Sequence, residues 1–245
     1  MINRKKFHDS FEKMMLNPDT GSSVIKKYYS IFRNEKYFEY KSLIDLIDAE
    51  YKCEFGAVND CDLHLNVGFA YEEDAIESLF KSKPDNNELN DIIPKVSIIN
   101  QLYSAGLNSV SGGRHLSIIE MANHIFRLRG QIDEYKISDD VLSLVTDLSK
   151  DNSIKTYDGA SKYKAVSFST KYLSFSLREK GFDAVPITDS KARTALAFIY
   201  DKSANYYEDY ENYFNDITAL KEKLTKVSYK EIDAFLWIMG KALTS

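Results

Sequence analysis

The chain has 245 residues, of which 44% are apolar and 28% charged, and a formal net charge of −5. That length buries a sizeable core in one large domain or two small lobes. The acidic balance excludes nucleic-acid binding through the whole surface, though not through a local basic patch. Two cysteines, Cys53 and Cys61, cannot furnish the four thiolates of a closed zinc or iron–sulfur site. No window approaches the roughly eighteen apolar residues of a membrane span, and the N-terminus carries no apolar run behind its charges. A cytoplasmic protein is expected.

Ten glycines and four prolines are few for this length, and apolar residues recur at three- and four-residue spacing. Both features predict an all-α fold. The predicted helices run over 8–16, 22–32, 37–52, 72–81, 87–104 with a break at Pro94, 116–128, 139–148, 170–179, 190–200, 205–225 and 229–242. Asp139, Thr188 or Asp189, and Ser228 are the expected N-caps. Cys61–Gly68 alternates like a strand but has no partner in the sequence, so it is read as irregular. Cys53, Cys61 and His64 make a C-x7-C-x2-H spacing that is read as two reduced thiols rather than a metal site.

The tyrosine-rich run from Tyr206 to Phe214 is read as a packed stripe. Tyr28, Tyr29, Phe32, Tyr37, Phe38 and Tyr40 either pack internally or form a partner surface. The loop Tyr103–His115 contains Gly112, Gly113 and Arg114, and is either a phosphate-approaching turn or a plain connection. Charge is uneven along the chain. Residues 161–194 hold seven cations against three anions, so this segment reads either as a phosphate-facing side or as ordinary surface variation.

The basic segment contains the chemistry. Lys171 is predicted to open an amphipathic helix, where the dipole and neighbouring cations disfavour an ammonium, and a neutral amine is what attacks an electrophile. A helix over 170–180 advances roughly 15 Å, and the eight-residue return from Gly181 to Thr188 spans up to about 25 Å. Asp189, at the mouth of the next helix, can therefore come back to Lys171. There it would stabilise a developing positive charge or accept a proton.

The arrangement of V-S-F-S-T-K (Val166–Lys171), an apolar helix, and V-P-I-T-D (Val185–Asp189) resembles the helix-hairpin-helix DNA glycosylases, in particular their 8-oxoguanine glycosylase branch. L-Y-S-A-G (Leu102–Gly106) and I-D-A-F-L-W-I-M-G-K (Ile232–Lys241) add to the likeness, which covers about residues 97–242. It implies a two-lobed helical bundle with a cleft between the lobes. It also divides the chain into an N-terminal helical region of unknown role (1–95) and a glycosylase-like region (96–245). The implied activity is excision of a damaged or modified base from DNA, with Lys171 as nucleophile, Asp189 as its partner, and strand cleavage as a possible continuation. The base is 8-oxoguanine or a bulky phage-type base.

The implied DNA contacts are Leu107 and Asn108 at the hole left by the flipped base, with Arg114, Lys162, Lys164, Ser167, Phe168 and Ser169 on phosphates. The family's hairpin glycines are serines here, and Gly106 stands where a polar amide is usual. No metal or cofactor is expected, and DNA is the expected partner. A helical module that binds nucleic acid or protein without catalysis is the alternative reading.

Overall fold

The computed structural model describes residues 18–34, 37–39, 64–66, 69–103, 107, 118–149 and 165–244. The described chain is all-α apart from one short ladder. Its helices are α1 (Pro18–Asn34), α2 (Phe69–Ser82), α3 (Leu89–Leu102), α4 (Ile118–Asp133), α5 (Val141–Ser149), α6 (Val166–Glu179), α7 (Ser190–Ile199), α8 (Tyr210–Lys223) and α9 (Tyr229–Thr244), with a 3-10 turn at Ala204–Glu208. The ladder pairs β1 (Tyr37–Glu39) antiparallel with β2 (His64–Asn66), Phe38 facing Leu65. This corrects two expectations: 37–39 is not helical, and the alternating run after Cys61 does have a strand partner. The partner was hidden because Y-F-E is too short to show a period of its own. The helix predicted at 8–16 and the rest of 37–52 lie outside the described residues.

The chain forms two compact units, one of residues 1–71 with 189–245, the other of residues 72–188. The division therefore falls at the start of α2 and at the Thr188–Asp189 bond. In the continuous unit, α6 packs against α3, α4 and α5, while Phe80 of α2 meets Tyr172 and Phe175 edge-on and tilted. Neighbours on all sides leave α6 no solvent face. Every residue from Phe168 to Leu177 is buried, so the expected amphipathic helix is a central one. Its five large apolar side chains, Phe168, Tyr172, Leu173, Phe175 and Leu177, are each worth about 1.5–3 kcal/mol when removed from water. The helix ends in a Schellman motif. Gly181 takes φ 86, the Phe182 N–H donates to Leu177 O at 2.9 Å, and the Gly181 N–H donates to Arg178 O at 2.9 Å.

In the other unit α9 packs against α7 and α1, and α8 and the 3-10 turn close over α7. The Thr225 N–H donates to Ser22 Oγ at 2.7 Å, which ties the α8–α9 turn to α1. Ser228 and Glu231 form a reciprocal capping box at the start of α9. The Glu231 N–H donates to Ser228 Oγ at 3.2 Å and the Ser228 N–H donates to Glu231 Oε2 at 2.7 Å. The long helix expected over 205–225 breaks at Asp209, whose Oδ1 accepts the Glu211 N–H and caps α8. α5 is capped by Asp140, not Asp139, through the N–H groups of Leu142 and Ser143. Pro94 does not interrupt α3: Ile92, Val96 and Ile99, buried on both sides of it, hold the helix together across the one missing N–H.

Candidate functional site

α6 begins at Val166, four residues before the predicted start. Ser167, Phe168 and Ser169 are thus helical, and Lys171 lies in the second turn. N-cap Ala165 supplies no side-chain hydrogen bond to the first turn. Its N–H donates to Ser149 O at 3.2 Å, so the chain leaves α5 and enters α6 at one point. The V-S-F-S-T-K stretch read as the hairpin is therefore helix and not a turn, and Lys162 and Lys164, read as phosphate contacts, lie outside the described residues.

Lys171 is 2% exposed. Its Nζ donates to Ser167 Oγ one turn back at 2.9 Å and lies 5.2 Å from the ring centroid of Tyr103. Tyr103 ends α3, its N–H on Ile99 O, and its ring is 6.1 Å from that of Phe175. A hydroxyl and an aromatic face therefore seat the amine. Nearby hydroxyls are left with unused capacity: Ser169 Oγ and Thr188 Oγ1 are enclosed without a hydrogen-bond partner. The return loop comes back to this turn, where the Thr188 N–H donates to Thr170 Oγ1 at 3.3 Å.

A second buried amine in the same unit has a different environment. Lys95 Nζ donates to Asp85 O at 3.0 Å and to Asn86 Oδ1 at 3.1 Å. The same Oδ1 accepts the Tyr172 hydroxyl, and Asn86 donates through its N–H and Nδ2 to both carboxylate oxygens of Asp133. Lys180 closes the network with Asp85 and Asp133 at 3.1 and 3.7 Å. Burial pushes Lys95 down from 10.5 to about 8, with Asp133 and Asp91 opposing the shift. Between those values the Lys95 site binds more protons in the unfolded chain than in the native one, so its contribution to stability rises with pH from about 8 to 10.5. Wild type should gain about 3 kcal/mol relative to Lys95→Met across that window. Urea unfolding of both proteins at pH 7, 8.5 and 10.5 measures the difference and cancels the tyrosine titrations; a constant gap would remove Lys95 as the source.

In the other unit Asp189 caps α7, accepting the N–H groups of Lys191 and Ala192 on Oδ1, each at 2.9 Å. A second carboxylate, Asp233 on α9, is buried in the same unit. Both act on Tyr213, whose hydroxyl is raised well above its ordinary value, first by burial and then by Asp233 and Asp189. Sequence reading missed Asp233, although it stands within the quoted I-D-A-F-L-W-I-M-G-K run. Gly240 in that run has a clear reason. A Cβ there would lie 2.5 Å from the carbonyl carbon and 2.8 Å from the Cα of Lys191, in the first turn of α7.

The remaining expectations divide. Leu107 is fully buried and its N–H donates to Asn100 Oδ1 at 3.0 Å, so its side chain is committed to packing in this structure. Phe168 is likewise buried, stacked 6.0 Å from Tyr172. Asn108 and Arg114 lie outside the described residues. Among the described residues of the basic run, Lys171 is buried, Lys180 is paired, and the guanidinium nitrogens Nη1 and Nη2 of Arg178 are enclosed. The tyrosine run does pack, with Tyr207, Tyr210 and Tyr213 buried. Among the described residues no group of three or more His, Cys, Asp or Glu is placed to hold a metal, and no helix is long and apolar enough to cross a membrane. Cys53 and Cys61 lie outside the described residues.

Residues 56–180, just over half of the chain, match the family model HI_0787_N, described as an N-terminal domain. The match includes Lys171 and stops before Asp189. No curated protein and no solved structure matches the chain.

Proposed function

This chain belongs to the HI_0787_N family, and we propose that it is a DNA glycosylase that extrudes and excises a modified base with Lys171 as nucleophile and Asp189 as its partner. The observation that carries the reading is the seating of Lys171: an amine in a central helix, held at 2.9 Å by Ser167 Oγ and covered by the Tyr103 ring. The resemblance to helix-hairpin-helix glycosylases supplies the reaction.

In that reaction the amine lone pair of Lys171 forms a bond to C1′ of the deoxyribose. The C1′–N bond to the base breaks, and the base leaves with the electron pair and takes up a proton. The carboxylate of Asp189 stabilises the positive charge that grows on the sugar and accepts a proton from the newly bonded nitrogen. Opening of the sugar ring leaves a Schiff base, from which β-elimination cleaves the strand. Extrusion costs a few kcal/mol in stacking and pairing. First-turn amides of α6 and the lysines before it would hold the flanking phosphates, which predicts salt-sensitive binding with little sequence preference in the backbone contacts.

The test is an excision assay on duplexes carrying 8-oxoguanine and other lesions, and on phage DNAs with modified bases, scoring free base, abasic sites and borohydride-trapped adduct. Release by wild type with loss in Lys171→Gln is the expected result. DNA binding without release from any substrate would transfer the assignment to a non-catalytic binding module.

A further inference from the structure

The unit that holds α1, α7, α8 and α9 gathers positive charge along one ridge. Between Lys221 and Lys230 the chain places four lysines against one carboxylate, Glu222. Lys221 and Lys223 lie in the last turn of α8, where the dipole favours cations. Lys226 lies in the turn beyond it, and Lys230 in the first turn of α9, where the dipole disfavours one. Two contacts bring α1 to the same place: the Thr225 N–H on Ser22 Oγ at 2.7 Å, and the Lys230 ammonium 5.8 Å from the Tyr29 ring centroid. Ser22 and Tyr29 are two turns apart on one face of α1, and Lys26 falls between them along the axis. Lys26, Lys27, Lys223 and Lys226 are exposed.

The fold does not account for this concentration. Elsewhere lysines meet carboxylates: Lys83 meets Asp91, Lys180 meets Asp85 and Asp133, and Lys202 meets Asp216. On the ridge Lys221 lies over the Tyr229 ring at 3.8 Å and Lys230 over Tyr29. Among the described residues no carboxylate pairs with Lys26, Lys223 or Lys226. Lys226 also takes φ 57, a conformation that glycine or asparagine fills with less strain. Local structure thus asks for another residue there, and repulsion between the ammonium groups opposes the cluster. In a chain of net charge −5, such a ridge is explained by an anionic partner. From Ser22 to Tyr29 the axis of α1 advances roughly 10 Å, over which one strand of a duplex carries about three phosphates. Among the described residues the exposed large apolar side chains are Ile119, Ile137 and Tyr206. None belongs to the ridge, which therefore lacks what an interfacial membrane element inserts.

We infer that the α8–α9 turn and the adjoining face of α1 form a surface that binds the DNA backbone, with Lys26, Lys223 and Lys226 on phosphates. It belongs to the unit that does not contain Lys171. Lysine heads are mobile point charges without the planar fork that reads a base edge, so the surface adds affinity and carries no sequence preference. The choice of DNA as the polyanion rests on the glycosylase reading, but the surface itself requires no chemistry at Lys171.

The test compares the full chain with a triple variant, Lys26→Gln, Lys223→Gln and Lys226→Asn, and with a second triple carrying Lys26→Arg, Lys223→Arg and Lys226→Arg. Anisotropy titrations use a labelled duplex with a tetrahydrofuran abasic analogue, at KCl from about 50 to 200 mM. The plot of log affinity against log salt should become shallower by about 2–3 in the neutral triple, with binding weakened about tenfold or more at the lowest salt. Lys26→Gln alone should take about 1 from the slope, and the arginine triple should keep it. A control removing three exposed cations from the other unit, Lys81→Gln, Arg129→Gln and Lys136→Gln, should also keep it. An unchanged slope in the neutral triple, or an equal change in the control, overturns the inference. So does binding to phosphatidylserine vesicles that the neutral triple loses while its DNA slope stays the same, which would give the ridge to a membrane. Failure of the glycosylase reading is separate: wild type would release no base and trap no adduct. A lysine-dependent salt slope under that result leaves a DNA-binding surface on a protein without that chemistry.

Discussion

Lys171→Gln is expected to abolish the borohydride-trapped adduct and to lower base release by about a thousandfold or more, since no other group replaces the nucleophile. The variant should fold. Glutamine keeps a hydrogen-bonding end at this buried position, so Tm should stay within about 2 °C of wild type. A fall in Tm that tracks the loss of activity would make Lys171 a structural residue. Asp189→Asn complements it. Asparagine caps a helix about as well as aspartate, so α7 keeps its start while the charge is removed. Release should fall by about a hundredfold or more at unchanged stability, whereas Asp189→Ala should lose about 1 kcal/mol as well. Full activity in Asp189→Asn would reduce Asp189 to a cap. The two substitutions thus separate chemistry from architecture at each position.

What the sequence made legible follows from where the information is local. Helix-forming stretches in both units showed through their apolar spacing, and Asp189 and Ser228 showed as caps because a cap is a one-turn event. The start of α6 did not show. V-S-F-S looks like a turn, and only burial against α3, α4 and α5 makes it helical. The pairing of Tyr37–Glu39 with His64–Asn66 was invisible for the same reason: three residues carry no period, and the partner is distant. At the candidate site, Ser167 could have been found at the i−4 position from Lys171. Tyr103 could not, because nothing in the sequence brings the end of α3 to the second turn of α6. Arg178 was misread through its charge. It was counted among surface cations, when its offset of seven from Lys171 placed it on the same face of one helix.

Gly240→Ala is the substitution expected to cost most outside the reactive groups. The added methyl would sit 2.5 Å from the Lys191 carbonyl carbon and 2.8 Å from its Cα. These atoms belong to backbone in the first turn of α7, and a flexible side chain is not available to give way. Either α9 or the head of α7 must move. Overpacking of this kind costs about 3 kcal/mol, or a Tm lowered by roughly 6–12 °C at this chain length. Gly130→Ala is the control: it lies in α4 with nothing within 4 Å of the added Cβ, and should gain about 0.5–1 kcal/mol from helix propensity. The substitution has a functional consequence as well. Lys191 donates its N–H to Asp189, so a shift of that turn moves the carboxylate. Base release measured well below the lowered Tm should therefore fall about tenfold or more, since a misplacement of about 1 Å can cost a hundredfold. If Gly240→Ala unfolds earlier yet releases base at the wild-type rate while folded, the head of α7 is a structural joint and Asp189 does not act on the substrate. Equal stability of Gly240→Ala and Gly130→Ala would show instead that α9 and α7 are not packed backbone to backbone at this point.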